Sequence, residues 1–198
     1  MTTDTRSRFI GVARRMFADK GFYGTSIAAI AEELELTKQA LLHHFGSKEK
    51  LYGEVLRDIS AELLSTTEAL QREEVAPEVL LEELIVLMHR SQMDSPDSAR
   101  LIMRELLDNE QRAENAGSWY LKPFLENLVE AVLAAEATAG MGRADALALV
   151  YQLLGAAHYF AVSQPTLENI FGQAQLRQTR SGFEEELRRL VRARLQSV

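Results

Sequence analysis

The sequence predicts an all-α protein, on three observations. Stretches of Ala, Leu, Glu and Arg are interrupted by only 11 Gly and 4 Pro in 198 residues, a composition that favours helix throughout. Apolar residues recur at spacings of three and four. No sustained alternation of the strand type, internal repeat or low-complexity segment occurs. The expected architecture is an N-terminal three-helix unit, residues 1–52, joined by a long fourth helix to a C-terminal helical body, residues 53–198. The boundary near Gly53 falls within that helix, because no Pro/Gly/Ser-rich linker is present there.

The elements follow in order. Phe9, Val12, Ala13, Met16 and Phe17 make the stripe of a first helix, with Arg6, Arg8, Arg14 and Arg15 around it. Gly21 is a suitable stop, and Phe22-Tyr23-Gly24 connects to the next element, the two rings expected to plug the small core. Ile27, Ile30, Ala31 and Leu34 form one face of a short second helix capped by Thr25 or Ser26. Thr37 caps a third helix, Lys38 to Phe45, in which Leu41, Leu42 and Phe45 point inward while Lys38, Gln39 and His43 face out. Gly46 ends it. Ser47 caps a fourth helix running from Lys48 to about Glu74, with Tyr52, Val55, Ile59 and Leu63 as its stripe; about 25 residues span about 38 Å. Pro77 opens a fifth helix and Ser95-Pro96 a sixth. After a polar break, Asn109 to Ser118, a helix is expected from Trp119 to about Thr138. Another follows from about Arg143 to Ser163, then a loop containing Pro165 and Gly172, then a last helix from about Ser181 to Gln196. On the last helix Glu184 with Arg188, and Glu185 with Arg189, are spaced for i, i+4 pairing.

Two helices joined by a tight turn at Thr25–Phe45 constitute a helix-turn-helix, whose second helix enters the DNA major groove. The net charge of −7 argues against this until the chain is divided. Residues 1–50 hold eight Lys or Arg against six Asp or Glu, net +2, leaving 14 against 23, net −9, for residues 51–198. A basic head on an acidic body is implied, with phosphate binding confined to the head.

Residues 9–56 resemble the DNA-binding domain of the TetR family of transcriptional regulators. The resemblance rests on Ala13…Phe17, Gly21-Phe22…Thr25, Ile27-Ala28…Ile30-Ala31, Leu41…His43-His44-Phe45 and Ser47-Lys48-Glu49…Leu51. It covers a quarter of the chain and implies that the remaining helices form a ligand-binding and dimerising body. Two positions depart from the family pattern. Leu42 stands where Tyr commonly reaches a DNA phosphate, and Leu36 stands before the capping Thr37 where the family often has Gly.

The candidate residues follow. Lys38 and Gln39, at the exposed start of the recognition helix, are expected to read base edges, Gln pairing with adenine and Lys reaching guanine acceptors. Thr25, Thr37, His43, His44 and Lys48 are expected at phosphates. Met88, His89, Met103, Leu107, Trp119, Tyr120, Phe124, Tyr151 and His158 offer the apolar, aromatic and sparingly polar mixture of an effector pocket. Among them His89, Tyr151 and His158 require hydrogen-bond partners if buried. Leu147, Tyr151, Leu154, Phe183, Leu187, Leu190 and Val191, on the last two helices expected, would form a four-helix interface across a two-fold axis. The expected partners are therefore double-stranded DNA, a second copy of the chain and a small-molecule effector.

Other functions find little support. The chain has no cysteine, which excludes disulfides and thiolate chemistry and suits a cytoplasmic protein. The start of the chain shows no apolar signal segment. Ala146 to Leu167 is uncharged but carries Gln152, His158, Ser163, Gln164 and Pro165, so it reads as a buried helix and not a membrane span. His43 and His44 diverge by about 100° on a helix and do not make a metal site. No nucleophile elbow or phosphate loop occurs, so no enzymatic activity, cofactor or metal is expected. The alternative is a helical interaction protein whose head is non-specific or has lost DNA reading, the reading that Leu42 and the acidic body would favour.

Overall fold

The computed structural model describes residues 5–107 and 120–196, and these contain helices and no strand. The elements are α1 (Thr5–Gly24), α2 (Ile27–Glu32), α3 (Lys38–Phe45), α4 (Lys48–Arg72), α5 (Pro77–Asp94), α6 (Pro96–Leu107), α7 (Lys122–Ala134), a 3-10 turn (Glu136–Thr138), α8 (Arg143–Val162), α9 (Gln164–Phe171) and α10 (Gln173–Gln196). They form two compact units, one of Met1–Ala61 with Asp97–Tyr120, the other of Glu62–Pro96 with Leu121–Val198. The polar break at 109–118 and Trp119 lie outside the described residues.

In the first unit, which we call the head, Phe9, Ala13 and Phe17 of α1, Ile30 of α2, Leu41 of α3, and Leu51 and Val55 of α4 have no exposed surface. Each large side chain so buried contributes about 1.5–3 kcal/mol before conformational entropy is counted. Short helices such as α2 and α3 are marginal alone and depend on this packing. Local signals set their ends. Ser26, Thr37 and Ser47 each accept a hydrogen bond from the backbone N–H three residues on, at 3.1, 3.1 and 3.2 Å. Gly21 breaks α1 with φ 72° and ψ 173°.

In the turn between α2 and α3 the left-handed residue is Glu35, φ 56°. The N–H of Leu36 reaches Ala31 O and that of Glu35 reaches Glu32 O, both at 2.9 Å, the paired bonds of a Schellman ending with Glu35 at C′.

In the second unit, the body, α5 packs against α7, α8 and α10. Leu81, Leu84, Ile85, Phe124, Leu128, Val150, Ala157 and Val191 are fully buried or nearly so. Glu82, 8% exposed, accepts from Arg192 Nε and Nη2 at 2.7 Å and from Arg188 Nη1 at 2.9 Å, tying α5 to α10. Burial raises the Glu82 pKa, but hydrogen bonds and charge from Arg192 and Arg188 outweigh it and hold the carboxyl below its ordinary value. The expected loop after α8 is instead the helix α9, with Pro165 in the first turn, where its missing N–H costs no helical bond. Gly172, φ 81°, separates α9 from α10, so the last helix begins at Gln173 and not Ser181. α7 ends at Ala134 in the 3-10 turn, short of Thr138.

Candidate nucleic-acid interface and body site

The recognition helix α3 is held from beneath by Leu41 and Phe45, 0% and 5% exposed, with Phe45 edge-on to Phe9 at 6.0 Å. Its other side is free. Thr37, Lys38, Gln39, His43 and His44 are all exposed, so five of the seven residues expected at DNA share the solvent side of α3 or its cap. Leu42 is half-buried and supplies no hydroxyl at its position. The rings of His43 and His44 are 5.7 Å apart at 84°, and among the described residues no group of three metal-binding side chains forms.

The other two behave differently. Thr25 is 2% exposed and its hydroxyl lies 2.9 Å from Gly21 O and 3.1 Å from Met16 O. It ties down the broken end of α1, which removes its side chain from the phosphate set. Lys48 donates from Nζ to Thr25 O at 2.9 Å and stands 4.2 Å over the Phe22 ring. Its ammonium thus pins the start of α4 to the α1–α2 connection. Tyr23, expected in the core, is 84% exposed, because Gly21 turns the chain so that Phe22 alone packs toward Phe17 and Tyr52, at 6.0 and 5.2 Å.

Helix α6 is bound into the same unit. Arg104 donates from Nε to Ala18 O at 2.8 Å and from Nη2 to Asp19 O at 2.9 Å, a cation on the carbonyl end of a helix. Tyr52 donates to Glu105 at 2.5 Å, and Arg14 donates to Ser98 at 3.3 Å. Helix α6 is therefore tied to α1 and α4 by hydrogen bonds that the sequence pattern did not disclose.

The expected pocket residues do not gather into one site. Leu107 is 72% and Tyr151 52% exposed, each facing solvent. Met103 and Tyr120 belong to the head unit, where Tyr120 O accepts from Ser60 at 2.5 Å and its hydroxyl stands where a Cβ on Gly53 would come within 2.8 Å. Trp119 lies outside the described residues. Met88, His89, Phe124 and His158 are buried in the body, at 7%, 5%, 1% and 6% exposure.

Both histidines lie where α5 and α8 pack together, with Gln92, 3% exposed, three residues from His89 on α5. Gln92 Nε2 lies 2.6 Å from His158 Nδ1. His89 is bonded to the Ala157 backbone. That leaves His89 Nδ1, Gln92 Oε1 and His158 Nε2 buried without partners. Each such group costs about 1–3 kcal/mol, a large burden beside the 5–15 kcal/mol that typically separates folded from unfolded chains. Burial lowers the pKa of both rings, although Glu184 and the Ala157 bond oppose it at His89. Both rings are accordingly neutral.

The surface of α8 and α10 also departs from the expected interface. Leu154, Leu187 and Val191 are 8%, 2% and 0% exposed, because they point into their own body. Phe183 is half-buried, stacked on Phe160 at 3.8 Å and 9°. Leu147, Tyr151 and Leu190 do face out, at 44%, 52% and 38%, and Tyr159, 74% exposed, extends the same helix surface. α8 is the one described helix long and apolar enough to cross a membrane, and half of that stretch is buried within the fold.

A compact helical head presenting a capped, solvent-facing recognition helix, followed by a separate helical body, defines a helix-turn-helix DNA-binding regulator. Comparison with known proteins supports this class. Residues 9–55 match the family described as bacterial regulatory proteins, tetR family. The HTH-type transcriptional regulator RutR of Escherichia coli (strain K12) is 27% identical over 179 residues, covering 86% of this chain and 84% of that protein. The HTH-type transcriptional repressor KstR2 of Mycolicibacterium smegmatis is 42% identical over 53 residues, 27% of this chain and 26% of that one. In structure, a TetR-family transcriptional regulator from Bordetella parapertussis 12822 superposes with a TM-score of 0.74 at 20% identity, over 95% of this chain and 94% of that one, a likeness of fold. Residues 9–55 are thus similar to the DNA-binding domain of the tetR family, and with the likeness to RutR along most of the chain they mark the protein as a DNA-binding transcriptional regulator.

Proposed function

We propose that the protein is a cytoplasmic repressor that binds a palindromic operator as a homodimer and is released by a small molecule held in its body. The observation that carries the reading is the placement of Lys38 and Gln39, both exposed at the first turn of a helix that Leu41 and Phe45 hold rigidly from beneath. Base reading falls to these two. Thr37, His43 and His44 contact phosphates, and Lys48 adds charge while positioning α4. Residues 1–52 act as the DNA-binding domain and 53–198 as the effector-binding and dimerisation domain.

The exposed apolar residues Leu147, Tyr151 and Tyr159 of α8 and Leu190 of α10 support dimerisation, since large apolar side chains left in solvent are candidates for burial against a partner. A two-fold dimer would offer its two α3 helices to successive major grooves, about 34 Å apart. An effector that prefers the non-operator arrangement shifts the connecting helix α4 and so changes the separation of the two heads. A ligand of equal affinity for both arrangements would release nothing.

Selection of binding sites from random duplex DNA tests the reading. An enriched near-palindrome with half-site centres one helical turn apart is expected, and Gln39→Ala should relax the preference at one base of each half-site. Absence of any enriched sequence would favour the interaction-protein alternative.

A further inference from the structure

The head unit holds a cavity of about 400 Å³ between the end of α1, the start of α4 and helix α6, lined by residues of that unit alone. A volume of this size falls in the range of small-molecule sites. Its wall is aromatic. Phe17 and Phe22 stack at 6.0 Å and 22°, and Tyr52 stands edge-on to both, at 5.0 and 5.2 Å. Tyr23 also lines the cavity, edge-on to Phe22 at 5.3 Å. It is 84% exposed, so this ring has most of its surface still to be covered.

The charged residues of the lining are two cations, Lys20 and Arg104, against one carboxylate, Glu105. Glu105 is 8% exposed and accepts from the Tyr52 hydroxyl at 2.5 Å. Asp19, next to Lys20, lies 3.2 Å from Arg100. The excess charge at the cavity is therefore positive. Arg104 is also fixed in place: Nε and Nη2 hold Ala18 O and Asp19 O, and Nη1 stands 3.4 Å from where a Cβ on Gly21 would lie. Gly21 lines the cavity too, so the guanidinium is held at its wall. A guanidinium held in one geometry is suited to a carboxylate. We propose that this cavity binds a small planar aryl carboxylate. The ring packs among Phe22, Tyr23 and Tyr52, and the carboxylate meets Lys20 and Arg104. The site belongs to the head unit and does not depend on an effector in the body.

The test uses full-length protein labelled with 13C in the tyrosine rings. The chain has five tyrosines; Tyr23 and Tyr52 line the cavity, and Tyr151 and Tyr159, exposed on α8, serve as internal controls. The probe is 2-naphthoate. The comparisons are 2-naphthamide, which has the same ring without the charge, and cyclohexanecarboxylate, which has the charge without an aromatic ring. Saturable movement of the Tyr23 and Tyr52 resonances by 2-naphthoate is expected, with Tyr151 and Tyr159 still. Each comparison compound should bind at least tenfold more weakly by the same shifts. Lys20→Met and Tyr23→Ala, both at exposed positions, should each weaken 2-naphthoate at least fivefold, read at Tyr52. Arg104 is left intact because it also holds the end of α1. Tyr23 and Tyr52 resonances that stay fixed, an equal response to 2-naphthamide or cyclohexanecarboxylate, or full affinity in both variants would overturn the proposal.

Discussion

Replacing Glu35 by Gly should stabilise the head without touching its DNA surface. Glu35 adopts φ 56° at the end of α2, where an L side chain costs about 1–2 kcal/mol relative to the right-handed region. Gly removes that cost but gives the unfolded chain more freedom, which returns about 0.4–1 kcal/mol. The net gain is about 0.5–1 kcal/mol, a rise of about 1–4 °C in a chain of this size. Thermal unfolding followed by circular dichroism measures it, with operator affinity by anisotropy as the check that Lys38 and Gln39 keep their places. Two companion variants make the reasoning specific to the backbone. Glu35→Ala keeps a Cβ in the left-handed region and should gain nothing. Leu36→Gly removes a half-buried apolar side chain whose N–H closes the turn on Ala31, and should cost about 1–2 kcal/mol. Destabilisation by Glu35→Gly, or stabilisation by Leu36→Gly, would refute the Schellman assignment.

Lys48→Met should lower head stability by about 1–2 kcal/mol in urea unfolding, because it deletes the bond to Thr25 O and the cation over Phe22; an unchanged midpoint would return Lys48 to a purely DNA-facing role. Arg188→Met leaves the buried Glu82 with Arg192 alone and should cost about 2–4 kcal/mol by the same assay. Tyr151→Glu with Leu147→Glu, both at exposed positions, should leave the helical signal intact and abolish the proposed dimer in sedimentation equilibrium. Stability against pH should show two windows. The pKa values of His89 and His158 are lowered in the fold, so their neutral forms favour folding fully above about pH 6.5, and that contribution is lost as pH falls from there through the folded values. Glu82 and Glu184 are also lowered, so their contribution is present above about pH 4.3 and disappears as pH falls through their folded values. Urea midpoints between pH 4 and 8 would show the first decline in wild type, and His158→Phe should reduce it.

The helices and the exposed start of α3 are legible because their causes are local. A cap at Thr37, a stripe at Leu41 and Phe45, and a stop at Gly46 act within a few residues, so Lys38 and Gln39 are exposed where periodicity alone predicts. Thr25 and Thr37 show where such reasoning stops. Both are threonines at the start of a short helix, yet only Thr37 accepts from a backbone N–H of the helix it precedes. Thr25 bonds backward to Gly21 O and Met16 O, because the left-handed break at Gly21 turns the end of α1 toward it. α9 was missed for a similar reason: Pro165 reads as a breaker until its place in a first turn is known.

The body's residues were less legible because α8 is apolar on more than one side. Periodicity groups Leu147, Val150, Tyr151 and Leu154 into one stripe, but the fold divides it, taking Val150 and Leu154 inward and leaving Leu147 and Tyr151 out. Which edge faces the core depends on where α5 and α10 lie, and that is a tertiary fact. The same division makes His158 a buried polar group opposite Gln92 and leaves Tyr151, expected beside it in a pocket, on the outer surface. A helix that fills its own core on one edge and, as proposed, meets a second copy on the other needs apolar residues on both. Only polar residues distinguish the edges, and in α8 the inward edge carries His158. His158 is thus visible in the sequence, but its contact depends on Gln92 arriving from another helix, and it marks the inward edge of α8 against the face proposed for dimerisation.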